Sequence, residues 1–124
     1  MSILSGTGKI YMVREPVCGR FGMHRLLAMI SSNSLGVKWN GLDEITVVTF
    51  NKRKTICKLL HIDSCGVDCT TRILNTGRFQ VMLDEEQIPI HLTRDELETL
   101  LIEGTAPDKA FPLKIACHSP LKKI

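Results

Sequence analysis

The rhythm of hydrophobic and polar positions changes several times along the chain, and each change marks an element. Lys9 to Val13, with β-favouring Ile10 and Tyr11, predicts a short strand. Glu15-Pro16 ends it, because proline lacks an amide donor and biases the residue before it to extended conformations. From Phe21 to about Ser32 the apolar positions Met23, Leu26, Leu27 and Ile30 recur at helical spacing, with His24 and Arg25 pointing outward, until Ser31, Ser32, Asn33 and Ser34 break the pattern. Val37 to Asp43 is turn-rich, with Asn40-Gly41 its strongest signal. ITVVTF, from Ile45 to Phe50, is almost entirely β-branched or aromatic and predicts a well-buried strand. Asn51 to Lys54 turns the chain. Ile56, Lys58, Leu60 and Ile62 then share one face of the next strand, and Val67, Cys69, Thr71 and Ile73 one face of the strand after it.

The turn between those two strands admits two registers. With Ser64-Cys65 as the turn, Ile62 faces Val67, Leu60 faces Cys69, Ile56 faces Ile73, and His61 faces Asp68. Asp63-Ser64-Cys65-Gly66 also suits a type I turn followed by a glycine bulge, which shifts the register by one residue. The hydrophobic pattern favours the first. Short strands are expected over Phe79 to Met82 and Ile88 to Leu92, the latter restricted to an edge by Pro89. Thr93 and Glu96 form a capping box, with Leu92 and Leu97 as the hydrophobic staple beside it, and open a helix that Gly104 and Pro107 stop. Leu97, Leu100 and Leu101 make its packing face, while Arg94, Glu98 and Glu103 stay wet.

These elements add up to one α+β domain with a mostly antiparallel sheet of four to five strands and two helices on one face. Their order is β, α, β, β, β, short β, α. A chain of 124 residues, 44% hydrophobic, fits one domain with a real core. The domain is expected over residues 1–106, with its core at about 8–104, and residues 107–124 form a tail with no clear period that packs loosely or docks on a partner.

Charge sharpens the picture. Residues 1–80 carry 11 Lys or Arg against 5 Asp or Glu, a balance of +6, whereas residues 81–124 carry 5 against 8, a balance of −3. That asymmetry favours an anionic partner, nucleic acid before membrane because no basic amphipathic helix is present. The plainer reading is a set of solvated cations on a small domain. Five cysteines without regular spacing argue for reduced thiols over a disulfide framework. No apolar run approaches the roughly 18 residues of a membrane span, and the first ten residues lack signal-peptide character, so a cytoplasmic protein is expected, with nucleoid association as an option that a DNA partner would add.

Lys52, Arg53 and Lys54 lie at a hairpin tip, where flexible cations reach phosphates without disturbing a sheet, and Lys58, Arg72 and Arg78 come from the adjoining segments. Such contacts hold DNA by its backbone without reading sequence. Weighed against this are a turn that discourages sheet-to-sheet pairing and, for Arg78, packing over Phe79. Cys57, His61, Cys65 and Cys69 are zinc-type ligands, but their spacing converges only on a helix, and on two strands Cys57 and Cys69 face opposite ways. No metal or other cofactor is expected. Asp84, Glu85 and Glu86 sit adjacent in one loop, unsuited to two-metal chemistry, and phosphate-binding and nucleophile-elbow motifs are absent. Gly6-Thr7-Gly8-Lys9 lacks the rest of a phosphate loop. Trp39 has the ring to stack on a base, though a lone Trp more often edges a core. The reading is of a protein that is not an enzyme.

The stretch from Phe50 to Phe79 carries a recurrent order: Phe50, the basic turn, Lys58 and Leu60, Asp63 and Gly66, Arg72, then Gly77-Arg78-Phe79. It resembles the small TnpB or Orf2-like accessory proteins of the bacterial insertion-sequence family numbered sixty-six. The resemblance extends over roughly residues 8 to 104. Of the family's run before the first helix, only Arg20 and Gly22 are kept in Cys18 to Gly22. The resemblance implies an accessory role in transposition, beside a transposase and without chemistry of its own. The sequence supports a DNA-binding hairpin, and, as the alternative, a subunit that contacts only proteins of the transposition machinery.

Overall fold

The computed structural model describes residues 8–81, 83 and 89–106. Five strands and two helices follow one another as β1 (Lys9–Met12), α1 (Met23–Ser31), β2 (Ile45–Phe50), β3 (Ile56–Asp63), β4 (Gly66–Ile73), β5 (Ile90–Leu92) and α2 (Arg94–Glu103). The strands form one sheet in the order β4-β3-β2-β1-β5. Only β1 and β2 run parallel; the other three pairings are antiparallel. The α+β class, the mostly antiparallel sheet and the element order therefore agree with the sequence pattern.

The β3–β4 hairpin adopts the register that the apolar pattern favours: Ile62 opposes Val67, Leu60 opposes Cys69, His61 opposes Asp68 and Ile56 opposes Ile73. Asp63 fixes the turn, since its Oδ1 accepts from the amides of Cys65 and Gly66 at 2.8 and 3.0 Å.

The helices do not share a face as expected: they lie on opposite faces of the sheet, and the described residues of the strand expected over Phe79 to Met82 make only an isolated bridge at Gln80. Leu97 and Leu100 of α2 pack with Ile10, Met12, Val48, Phe50 and Leu59, together with Phe79. Leu26 and Ile30 of α1 pack with Val47, Leu60 and Ile62, the alternate positions of the same strands. All six residues of β2 are buried, so each of its faces needs a cover.

The second helix has its capping box complete: Thr93 Oγ1 accepts from the Glu96 amide at 3.1 Å, and Glu96 Oε1 accepts from the Thr93 amide at 2.8 Å. Gly104, at φ 78°, closes it in the left-handed conformation. Arg94 departs from the wet position expected of it and donates to the Gly8 carbonyl at 3.0 Å. That bond ties the start of α2 to the start of β1. The chain beyond β1 stays beside β2, with the Val13 amide on the Val48 carbonyl and the Val17 amide on the Phe50 carbonyl, both at 2.8 Å. Gln80 bridges to Thr105, so the Phe79 segment crosses beside the end of α2. The Asp84–Glu86 loop, Met82, Ile88, Gly6, Thr7, Pro107 and the tail lie outside the described residues.

Candidate nucleic-acid interface

The β2–β3 turn is held from three directions. Asn51 is its organiser: its Oδ1 accepts from the amides of Thr55 and Ile56 at 2.8 and 2.9 Å, and its Nδ2 donates to Thr55 Oγ1 at 3.0 Å. The backbone adds bonds from the Lys54 amide to the Asn51 carbonyl and from the Asn51 amide to the Ile56 carbonyl. Lys54 takes the left-handed φ of 63° that this tight return requires. Its carbonyl accepts from the Phe79 amide at 2.7 Å, while the Thr55 carbonyl accepts from the Leu74 amide at 3.0 Å. Below the turn, the rings of Phe50 and Phe79 meet edge to face with centroids 5.3 Å apart, both fully buried.

This geometry brings a third segment to the same end of the sheet. The loop from Cys18 to Phe21 closes over the start of β3 so tightly that a methyl group on Gly19 would come within 2.7 Å of Ile56 Cδ1. Across the three segments 14–21, 51–56 and 72–79 there are seven cations (Arg14, Arg20, Lys52, Arg53, Lys54, Arg72 and Arg78) against the single carboxylate Glu15. This end of the molecule is therefore strongly basic. Lys52, Arg53, Arg20, Arg72 and Arg78 are exposed, Lys54 is half-buried, and Arg14 is buried.

Lys58 stands apart from its sequence companions. Its ammonium donates to the Phe21 carbonyl at 2.6 Å, on the face of the sheet under the loop. It therefore holds the approach to α1, helped by the Arg25 guanidinium lying 4.2 Å above the Phe21 ring. Arg72 projects from β4 opposite Cys57.

The opposite end carries most of the anions of the strands. Asp43, Glu44, Asp63 and Asp68 gather around the β3–β4 tip and the start of β2, where Lys9, Lys38 and Arg94, the last bonded to the Gly8 carbonyl beside Glu44, are also placed. His61, 1% exposed, sits with Nδ1 2.9 Å from Thr46 Oγ1 and Nε2 3.2 Å from Glu44 Oε2 and 3.5 Å from Asp63 Oδ2. A hydroxyl, an imidazole and carboxylates in a row carry the geometry of an activated nucleophile, but Thr46 is itself 1% exposed and out of reach of a substrate. The network was not expected from the sequence; the signal was the opposition of Thr46 and His61 across β2 and β3. The amides of Cys65 and Gly66 and the nearby His61 hold the Asp63 carboxyl below its ordinary range, the Cys65 bond contributing most.

The zinc-type residues do not converge. Cys57 is buried on the α2 face, where desolvation pushes its thiol up to about 12 despite the nearby Arg72 charge; Cys69 lies on the α1 face, and Cys65 is exposed at the tip. Among the described residues no group of three or more His, Cys, Asp or Glu is placed to hold a metal ion. Trp39 is half-buried against the α1-side core, and its indole N–H donates to the Asp43 carbonyl at 2.8 Å. With Lys9, Lys38, Asn40 and Glu44 it lines an open cleft of about 400 Å³. No helix among the described residues is long and apolar enough to cross a membrane.

The positions that carried the sequence resemblance now have physical roles. Phe50 and Phe79 form the core under the basic turn, Asp63 ties the β3–β4 tip, and Gly66 closes that tip with its amide on Asp63. Gly77 supplies a left-handed turn at φ 77° before Arg78, and Gly22 is the extended N-cap of α1, next to exposed Arg20. Comparisons with curated proteins and with solved structures give no match. A family model described as IS66 Orf2 like protein matches residues 8–110, which takes in both turns, both helices and the whole sheet. The chain belongs to the IS66 Orf2-like family, and with it comes an accessory role in transposition of an insertion-sequence element.

Proposed function

We propose that the basic end holds DNA by its phosphate backbone while the protein assists the transposase of its element, with no chemistry of its own. The observation that carries this reading is the braced β2–β3 turn, which presents Lys52 and Arg53 to solvent with Lys54 and Arg78 joined beside them through the Lys54 carbonyl and Phe79 amide. A cation on a preorganised turn loses less freedom on meeting a phosphate than one on a floppy loop. Arg20 and Arg72 flank the same end. Lys58 acts indirectly, by fixing the Phe21 carbonyl and the loop that carries Arg20. Backbone contacts of this kind give affinity with little sequence reading. The outward side of α2, where Glu98, Ile102 and Glu103 are exposed, offers a separate surface to the transposase.

Fluorescence anisotropy with a duplex of the element's terminal inverted repeat and a scrambled duplex, each across a salt series, tests the reading. Both duplexes are expected to bind, with log affinity falling by about 0.9 per phosphate neutralised for each tenfold rise in salt. Reversing Lys52, Arg53 and Lys54 to Glu is expected to abolish retention while leaving transposase capture intact. No binding to either duplex at low salt would overturn the DNA contact and leave a subunit that meets only proteins.

A further inference from the structure

The two edges of the sheet are unequal. On one side β5 has three residues and follows Pro89, whereas on the other β4 runs eight residues without proline and in unbroken register with β3. Long regular edges invite another strand unless they are blunted. Most of β4 is exposed, including Ile73 at 63%. Charges normally discourage such pairing, but those on β4 are one anion and one cation, Asp68 and Arg72, placed symmetrically about Thr70.

We infer that the β4 edge binds a second copy of itself, antiparallel and centred on Thr70, to make one continuous ten-stranded sheet. Backbone geometry permits that centre. The Leu74 amide bonds to the Thr55 carbonyl on the β3 side, so by alternation Asp68, Thr70 and Arg72 also turn their amides toward β3. Val67, Cys69, Thr71 and Ile73 turn theirs outward, and a two-fold at Thr70 pairs outward residues with outward residues: Val67 with Ile73 of the second copy, and Cys69 with its Thr71.

The side chains select the same register. A two-fold at Thr70 sets Asp68 against the second copy's Arg72 and Arg72 against its Asp68, both as the closer, non-hydrogen-bonded pairs. Centring instead on Cys69 opposes Asp68 to Thr70 and Arg72 to Gly66, and centring on Thr71 opposes Arg72 to Thr70; both lose the ion pairs. The Thr70 register also covers exposed Ile73 with Val67, twice by symmetry. An antiparallel arrangement further places the basic end of each copy beside the acidic tip of the other, whereas a parallel one would set like beside like. None of this depends on nucleic acid.

Sedimentation of the full chain across a dilution series tests the pairing without DNA. The wild type is expected as a concentration-dependent dimer. Asp68→Arg sets guanidinium against guanidinium at both crossings and is expected to weaken the dimer by at least about tenfold. The double exchange Asp68→Arg with Arg72→Asp restores opposite charges and is expected to recover it, a result that misfolding of the single variant cannot produce. Thr71→Pro removes an amide that points away from β3, so a monomer with an unchanged circular dichroism spectrum is expected. A wild-type monomer at every concentration, or a dimer indifferent to Asp68→Arg, overturns the inference.

Discussion

At one end of β3 the neutral side chain of Asn51 folds back onto the amides of Thr55 and Ile56; at the other, the charged side chain of Asp63 does the same to Cys65 and Gly66. One hydrogen-bonding device thus builds two turns of opposite electrostatic character. Because Asn51 adds no charge, the turn it organises gains no anion from its own organiser, whereas Asp63 contributes to the acidity of its own tip. The turns also differ in bracing. The basic one rests on a buried aromatic pair and on the Phe79 amide, whereas Ser64 and Cys65 stand exposed at the acidic one. Turn geometry and surface charge are therefore independent variables here, and the more heavily braced turn is the one assigned the DNA contact.

The largest expected effect removes that bracing. Phe79→Ala leaves a cavity against Phe50, and chemical denaturation is expected to show a loss of about 3–5 kcal/mol; a loss below about 1 kcal/mol would mean the basic turn does not rest on this pair. Next comes the comparison of the two organisers. Asn51→Ala strips three hydrogen bonds from a partly buried turn and should cost about 1–3 kcal/mol, more than Asp63→Ala at the exposed tip. Equal losses would erase the difference in bracing. The thiols give a third contrast. In native protein at pH 8, a disulfide reagent is expected to modify exposed Cys65 and Cys18 readily and to leave Cys57, raised to about 12, unreacted until the protein unfolds. Fast labelling of Cys57 would show that the α2 face opens.

The smallest effect is a dependence on pH. The Asp63 carboxyl lies below its ordinary value of 3.8 in the folded chain, so between the two values the unfolded chain binds more protons. Its contribution is present above 3.8 and lost as the pH falls through the lowered value. Asp63→Asn keeps an acceptor oxygen but cannot titrate, so its acid unfolding profile should lack that component. Matching profiles for the two proteins would show that the carboxylate charge at the tip has no influence on stability.

Local signals in the sequence placed most of the elements. The capping box at Thr93 and Glu96, the run ITVVTF and the apolar register of β3 and β4 each act within a few residues, where the side-chain pattern dictates backbone choice. The helix placement needed more than locality. A strand apolar on both faces demands two covers, and Ile45 to Phe50 carried that information, though alternation alone does not assign a helix to each side. Lys58 shows the same limit at the candidate site: as a strand lysine it reads as a free cation, yet its partner lies 37 residues away in a loop whose path only the tertiary fold defines. The clustering of Lys52, Arg53 and Lys54 was legible because they are consecutive, and that of Arg78 because the β3–β4 hairpin returns the chain to the same end; the approach of Arg20 was not, because it depends on the crossing of Gly19 over Ile56.

The parallel pairing of β1 with β2 has a consequence for how the chain is made. The strands β2, β3 and β4 form a meander of sequence neighbours, the kind of local pairing that closes fastest, and β1 joins its open side through α1. The other side of β1 waits for β5: Ile10 pairs with Leu92 and Met12 with Ile90, across about 80 residues. Until β5 and α2 exist, nothing from the C-terminal half of the chain can pair with that side of β1 or cover Ile10 and Met12. In the folded chain β5 and α2 close that edge, and the Arg94 bond to the Gly8 carbonyl fastens the last helix to the first strand.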